Sequence, residues 1–230
     1  MSVYLYNAID VSKIKFSKNV YKRKKDILVG GEVLKKSVYY IDISYKGGPL
    51  YLQFPRAQLM TFAMEHCQAQ FEVTCDIVSD FIEPLQEHII KSVHKHSETF
   101  FKGKRFTFNK IRSCILSCVT YIESTPCINV TISDKLKTFN GQKGEVSAQQ
   151  VVSELPIDCI PLVKLTNLQF IDNRFTYNLS LEQLKVFVNE PLHNYSIIDN
   201  SSTEIKTEIS RDDEYYKDSK EIDSVNGHFF

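Results

Sequence analysis

The sequence predicts a mainly β protein with one helical insert and a disordered acidic tail at its C-terminus. Three observations support this. Apolar and polar residues alternate over several short segments, residues 76–97 instead show helical spacing, and the hydrophobic pattern ceases after about Ile198. The chain has 230 residues, 43% of them hydrophobic, which is enough for one domain with a real core. We therefore predict a folded domain over 1–198 and a disordered tail over 199–230.

The first strands are predicted on both sides of the segment KGGP. Tyr39, Ile41, Ile43 and Tyr45 alternate before it, and Leu50, Leu52 and Phe54 alternate after it. Two alternating runs separated by a glycine-rich break indicate a β-hairpin. An earlier basic segment, KNVYKRKKD (18–26), precedes a Gly30-Gly31 turn. A solvated loop is one interpretation of that segment, and a functional one stays open beside it.

One amphipathic helix is predicted between Asp76 and His96, with Pro84 expected to kink or restart it. The period then returns to two in RFTFNKI, SCILSCVTYI and CINVTISDKLKTF. Two last strands, IPLVKLTNLQFI and RFTYNLSLEQLKVFV, are predicted to join at a tight Asp172-Asn173 turn. Many short strands with one helix indicate a closed antiparallel barrel or a sandwich.

The charges are distributed unevenly along a chain whose formal net charge is zero. Residues 199–230 contain nine acids and four bases, so the tail carries −5. The remaining 24 bases and 19 acids give residues 1–198 a charge of +5. A mildly basic body therefore carries its own acidic tail.

Linear motifs of catalysis and metal binding are missing. The sequence contains no GxxxxGK[ST], GxSxG, HExxH or GxGxxG, which favours a binding protein over an enzyme. Six cysteines stand among apolar neighbours without a CxxC pair, so we expect reduced, buried thiols, no metal and no cofactor. The apolar runs are far shorter than a membrane helix needs, and the protein is expected to be intracellular.

The segment TFFKGKRFTFNKIR combines rings with cations. Cations can contact backbone phosphates while rings stack on bases, which is how unpaired nucleic acid is bound without regard to sequence. The alternative interpretation is an ordinary β-turn whose phenylalanines belong to the core and whose lysine and arginine side chains are solvated. The candidate binding residues here are Phe101, Lys102, Lys104, Arg105, Phe106, Phe108, Lys110 and Arg112.

Other segments repeat the combination more weakly, and together they predict one basic, aromatic face on a small barrel. That arrangement is typical of an OB-fold groove. The additional candidates are Tyr45, Lys46, Tyr51, Arg56, Lys135, Lys137, Phe139, Arg174 and Tyr177.

The tail ends on two aromatic residues after a run of carboxylates. This layout resembles that of replicative single-stranded DNA-binding proteins of bacteria and T7-like phages. The resemblance implies a tail that docks onto replication proteins such as a polymerase or helicase and competes with DNA for the groove. The residues that carry it are Asp212, Asp213, Glu214, Asp218, Glu221, Asp223, Phe229 and Phe230.

A second resemblance lies in the body. The segments YYIDISYKGGPLYLQFPRAQ and IPLVKLTNLQFIDNRFTYNLSLEQLKVF look like the most recognisable parts of single-stranded DNA-binding proteins of large nucleocytoplasmic DNA viruses. The resemblance covers about fifty residues and implies a C-terminal hairpin that bears a Trp. Here Phe170 and Phe175 stand in that neighbourhood instead.

The leading hypothesis is a non-enzymatic protein that binds single-stranded DNA, or RNA, during viral replication, recombination or repair. It implies a location in the cytoplasm or nucleus of a host cell and no membrane partner. It leaves open whether the chain forms a homo-oligomer. The alternative is a viral structural or assembly protein with a β-sandwich body and a docking tail. A nucleic-acid enzyme with an unrecognised site is the third hypothesis.

Overall fold

The computed structural model describes residues 2–29, 32–101, 103–172 and 174–187, with the backbone alone for 25–29 and 32–34. Within them the chain forms ten strands: β1 Val3–Leu5, β2 Ile14–Val29, β3 Glu32–Tyr45, β4 Leu50–Gln53, β5 Ala57–Ala63, β6 Gln68–Glu72, β7 Val119–Ile122, β8 Thr125–Phe139, β9 Ile157–Ile171 and β10 Arg174–Val186. The helices are α1 Cys75–Ile77, α2 Glu83–Lys95, α3 Ser97–Phe100, α4 Phe108–Arg112 and α5 Ala148–Ser153.

Five of these strands close into a barrel of the predicted OB-like type. Going around it, β5 pairs with β6, β6 with β8, β8 with β10, β10 with β9, and β9 with β5 again. Only the β8–β10 pair is parallel. If the five barrel strands are renumbered 1 to 5 along the chain, their order around the barrel is 1-2-3-5-4-1. The predicted mainly β fold with an OB-like barrel is confirmed.

The β9–β10 hairpin forms where the alternating pattern predicts it. Ile171 pairs with Arg174, and the ladder continues to Cys159 and Val186. Phe175, Tyr177, Leu179 and Leu181 are buried, while Arg174, Thr176, Asn178 and Ser180 point the other way. Asn173, part of the predicted turn, lies outside the described residues.

The predicted hairpin around KGGP is wrong. Both β3 and β4 pair with β9 rather than with each other: Asp42 is opposite Asn167, and Leu50 is opposite Leu165. The chain therefore runs on in the same direction along β9. The KGGP segment is a loop in which Lys46 and Gly47 have φ of +50° and +82°.

The basic segment 18–26 belongs to a strand and not to a loop. It lies in β2, which pairs with β3 in a long antiparallel ribbon from Ile14 opposite Tyr45 to Val29 opposite Glu32. Because β3 in turn pairs with β9, this ribbon extends the barrel sheet beside the part of β9 that leads into the β9–β10 turn.

The helical insert between β6 and β7 begins with α1 and α2, joined by a π-helical turn over Val78–Ile82. Pro84 follows this turn near the start of α2, where a residue without an N–H is tolerated. The side chains of Leu85, Ile89, Ile90 and Val93 enter the same core as the barrel.

The predicted strand RFTFNKI is a helix in its second half. Thr107 caps α4 by accepting a hydrogen bond from the Lys110 N–H at 3.4 Å, so Phe108 starts a helical turn. The expectation of six buried thiols is also only partly correct. Cys118, Cys127 and Cys159 are buried, but Cys67 and Cys75 are exposed.

Candidate nucleic-acid interface

A groove of about 540 Å³ opens beside the β9–β10 turn. We call it the aromatic groove and define it by Lys22, Tyr39, Phe101, Lys104, Phe106 and Phe170, all of which line it. In an OB-fold the loop between the fourth and fifth barrel strands is one of the two loops that bind oligonucleotides. The β9–β10 turn is that loop here, so the groove lies at a position suited to such a ligand.

The strand register builds one side of the aromatic groove. Lys22 on β2 is opposite Tyr39 on β3, and Tyr39 is opposite Phe170 on β9. Cross-strand partners share a face of a sheet, so a cation and two rings lie in one row. The Lys22 Nζ is 5.8 Å from the centroid of the Tyr39 ring.

The other side of the groove comes from the chain that leaves α3. Gly103, with φ of +83°, donates from its N–H to the Glu98 carbonyl, which turns the chain back on itself. The Phe101 and Phe106 rings then meet edge to face at 4.9 Å between centroids. Phe101 also packs edge to face on Phe170 at 5.5 Å, so the rings support one another.

Burial separates the rings that a ligand can reach from those that form the base of the groove. Phe170 is 7% exposed and belongs to the core, whereas Phe101 and Phe106 are half-buried. Lys104 is exposed next to them, as is Arg105. Half-buried rings flanked by exposed cations are the combination that binds an unstacked base together with its phosphate.

The lysines of the groove are not neutralised by carboxylates of the described residues. Among the described residues neither Lys22 nor Lys104 forms an ion pair. The carboxylate that lines the groove, Asp172, accepts a hydrogen bond from the Lys36 Nζ at 2.8 Å. Since Lys36 balances this acid, the two lysines make the groove positive.

Three predicted binding residues are buried. Tyr45 is 3% exposed, Tyr51 9% and Tyr177 2%, so none of these rings offers a face to a base in this structure. The Tyr177 hydroxyl lies 3.0 Å from the Cys118 Sγ and accepts a hydrogen bond from the Gln86 Nε2. Burial raises the pKa of Tyr177 well above its ordinary value, which fits a structural role.

Other predicted cations are engaged elsewhere. Arg56 pairs with Asp158 at 2.7 Å, Arg112 with Glu87 at 2.6 Å, and Lys137 with Glu145 at 3.5 Å. The Lys46 Nζ lies over the rings of Tyr4 and Tyr45, at 5.4 and 5.3 Å from their centroids.

The predicted residues of β8 lie far along the barrel from the groove. Lys137 is opposite Gln183 of β10, nine positions beyond Arg174 at the turn. At the rise of a β-strand this separation is about 30 Å. Lys135 is exposed and Phe139 half-buried in the same part of β8. The single basic, aromatic face that the sequence predicts is therefore not formed.

The remaining predicted residues fall in three places. Phe108 and Lys110 lie on α4, where the Phe108 ring packs edge to face on His94 at 5.6 Å. Arg174 is exposed beside the β9–β10 turn but lines a different cavity. Lys102 and the predicted docking residues Asp212, Asp213, Glu214, Phe229 and Phe230 lie outside the described residues. The binding roles proposed for all these residues stay predictions.

Sequence reasoning missed the contribution of the β2–β3 ribbon. Lys22 and Tyr39 complete the groove, and neither is among the binding residues that the sequence predicts. A usable signal was present, because segment 18–26 precedes a glycine pair and is followed by an alternating run. If segment 18–26 and the alternating run after it are interpreted as the two strands of a hairpin, Lys22 lies close to Tyr39.

The barrel face between β6 and β8, which other OB-folds use for ligands, is lined differently. The Gln70 Nε2 donates to Thr120 Oγ1 at 3.0 Å and to Asn129 Oδ1 at 3.1 Å. Farther along, Thr131 Oγ1 donates to Asn178 Oδ1 at 2.8 Å. These amide and hydroxyl groups satisfy one another and carry neither ring nor charge. Glu72, two residues from Gln70 on the same face of β6, adds a half-buried carboxylate that would repel a phosphate, so the aromatic groove is the better candidate.

The described residues contain no group of three or more His, Cys, Asp or Glu side chains placed to hold a metal ion. None of the helices in this part of the chain has the length and apolar character needed to span a membrane.

The backbone is similar to solved structures of a phage protein. The single-stranded DNA-binding protein from bacteriophage Enc34 matches with a TM-score of 0.42 and 12% identity over 70% of this chain and 92% of that one. The same protein in complex with ssDNA matches with a TM-score of 0.41 and 11% identity over 66% and 93%. No protein-family model and no curated protein matches the sequence. Likeness at this level describes the backbone only.

Proposed function

We propose that this chain is a non-enzymatic protein that binds single-stranded DNA through the aromatic groove, in viral replication, recombination or repair. The observation that carries the proposal is the convergence of the half-buried Phe101 and Phe106 rings with Lys22 and Lys104 beside the β9–β10 turn. Rings take part in stacking with any base, and lysines contact any phosphate, so the expected binding is tolerant of sequence.

The rings argue for a single strand over a duplex. The bases of a duplex are stacked on each other and paired, so a ring at the side of a groove has no base face to contact. An unpaired strand exposes its base faces at little cost. The half-buried position of Phe101 and Phe106 therefore favours unpaired nucleic acid.

The tail adds a proposed layer of regulation that rests on the sequence. Residues 199–230 carry −5 against +5 in the rest of the chain, which makes them an internal competitor for a cationic groove. Phe229 and Phe230 of this segment would serve as the anchor for a replication protein, because short peptides gain affinity by inserting rings into a pocket.

A titration of the full chain tests the proposed function. Labelled oligo(dT), oligo(U) and a duplex of equal length are compared by filter binding at two salt concentrations. We expect saturable binding of the single strands that weakens as salt rises, because bound counterions are released. Absence of a saturable preference for a single strand would contradict the proposal and favour the structural or assembly protein.

A further inference from the structure

The strands that form one side of the aromatic groove also present rings and cations on their opposite side. Successive side chains of a strand alternate between faces, so Tyr21 and Arg23 point away from Lys22. On β3, Tyr40 likewise points away from Tyr39. We call this surface the outer face and define it by Tyr21, Arg23, Tyr40, Gln169 and Arg174.

One end of the outer face is a stack of two rings and a guanidinium. Tyr21 and Tyr40 are cross-strand partners whose rings stack with centroids 5.4 Å apart and planes 13° from parallel. The Arg23 Cζ lies 5.3 Å from the Tyr21 centroid and 5.9 Å from that of Tyr40. The Tyr21 hydroxyl donates to Asp42 Oδ1 at 2.7 Å, which holds the stack in place.

The register continues this surface across four strands. Tyr21 and Tyr40 lie in one row with Gln169 and Thr176, and Arg23 lies in the next row with Arg174. Three strand spacings separate the two arginines, which is about 14 Å. A shallow cavity of about 480 Å³ lies toward the Arg174 end and is lined by Gln169, Ile171 and Thr176.

The outer face is continuous with the aromatic groove. Asp172, at the β9–β10 turn, lines both cavities and is therefore their common rim. Among the described residues, the acids beside this surface are Asp172, which pairs with Lys36, and Asp42, which accepts a hydrogen bond from the Tyr21 hydroxyl and keeps its charge. Arg23 and Arg174 form no ion pair among these residues, so two unpaired cations outnumber one unpaired acid and the surface is cationic and aromatic.

We propose that the outer face is a second contact site for the same nucleic-acid strand, which leaves the aromatic groove and passes around the β9–β10 turn. The inference rests on the proposed function and adds the path of the strand to it. Arg23 and Arg174 contact phosphates, and the Tyr21–Tyr40 stack receives a base. A strand long enough to reach both surfaces thus binds more tightly than one that fills the groove alone.

The test compares two lengths of oligo(dT), about 6 nucleotides, which is within the footprint of one OB-fold, and about 20 nucleotides, which exceeds it. In the full chain, Arg23→Ala/Arg174→Ala should weaken binding of the long strand by about tenfold near 0.2 M salt, the effect of losing two phosphate contacts. Binding of the short strand should stay unchanged. The matched control, Lys22→Ala/Lys104→Ala in the groove, should weaken both lengths.

A second measurement identifies the contact directly. A long oligonucleotide carrying 5-iodouracil should crosslink on irradiation to peptides containing Tyr21 or Tyr40 in the unaltered chain, and the short one should not. Equal losses for both lengths, or no crosslink to either tyrosine, would overturn the second site and leave the groove intact. If neither length binds the unaltered chain, the proposed function itself fails.

Discussion

The two lysines of the aromatic groove give the sharpest prediction about affinity. Replacing both, as in Lys22→Ala/Lys104→Ala, removes two cations that form no ion pair within the described residues and lie on opposite sides of one groove. Each phosphate contact with a single strand changes the slope of log K against log salt by about 0.7, so the double variant should flatten that slope by about 1.4. With no contribution from the two contacts at 1 M salt, this slope lowers the binding constant of the double variant about tenfold at 0.2 M and about 60-fold at 0.05 M.

Fluorescence anisotropy with labelled oligo(dT), recorded from 0.05 to 0.4 M salt, measures this slope. The charge-matched control is Lys135→Ala/Lys137→Ala, which removes two lysines from the distant part of β8. The control should leave the slope close to that of the unaltered chain. An equal change in both double variants would show that net charge acts without a defined site. An unchanged slope in the groove variant would refute the phosphate contacts.

Three further predictions concern a ring, the tail and the thiols. Phe106→Ala should weaken oligo(dT) binding by about 5- to 150-fold in anisotropy titrations, the effect of losing about 1–3 kcal/mol of stacking, while Phe106→Tyr should retain it. Deleting 199–230 should tighten binding at low salt, since a polyanion is removed, and filter binding measures this. In a thiol-labelling time course at pH 8, Cys67 and Cys75 should react quickly because they are exposed. Cys159 should react only after unfolding, because burial raises its pKa to about 12.

Each of these three predictions can be contradicted by a defined result. Equal losses for Phe106→Ala and Phe106→Tyr would indicate a packing effect rather than stacking. Weaker binding after the deletion would refute competition by the tail. Rapid labelling of Cys159 in the native chain would contradict the burial of this residue near the start of β9.

Local patterns predicted the elements whose partners are close in sequence. The β9–β10 hairpin follows from strict alternation on both sides of a short turn, and α2 follows from helical spacing. The partners of β3 and β4 could not be found in this way. Both pair with β9, more than a hundred residues away, and a local glycine-rich break looks the same whether the chain reverses or runs on.

The same distinction explains which site residues were predicted. Phe101, Lys104 and Phe106 share one segment whose composition is itself a signal. Lys22 and Tyr39 join them only because β2 pairs with β3 and β3 with β9. Residues such as Tyr45 and Tyr177 have suitable chemistry, but packing turns their rings into the core.

A crystal structure of the full chain with an oligo(dT) of about six nucleotides, within the footprint of one OB-fold, tests directly whether the aromatic groove binds the strand. We expect a thymine stacked on the Phe106 ring, with its phosphates within hydrogen-bonding distance of Lys22 and Lys104. A strand that instead crosses the amide and hydroxyl face around Gln70 and Asn129, leaving the groove empty, would contradict it.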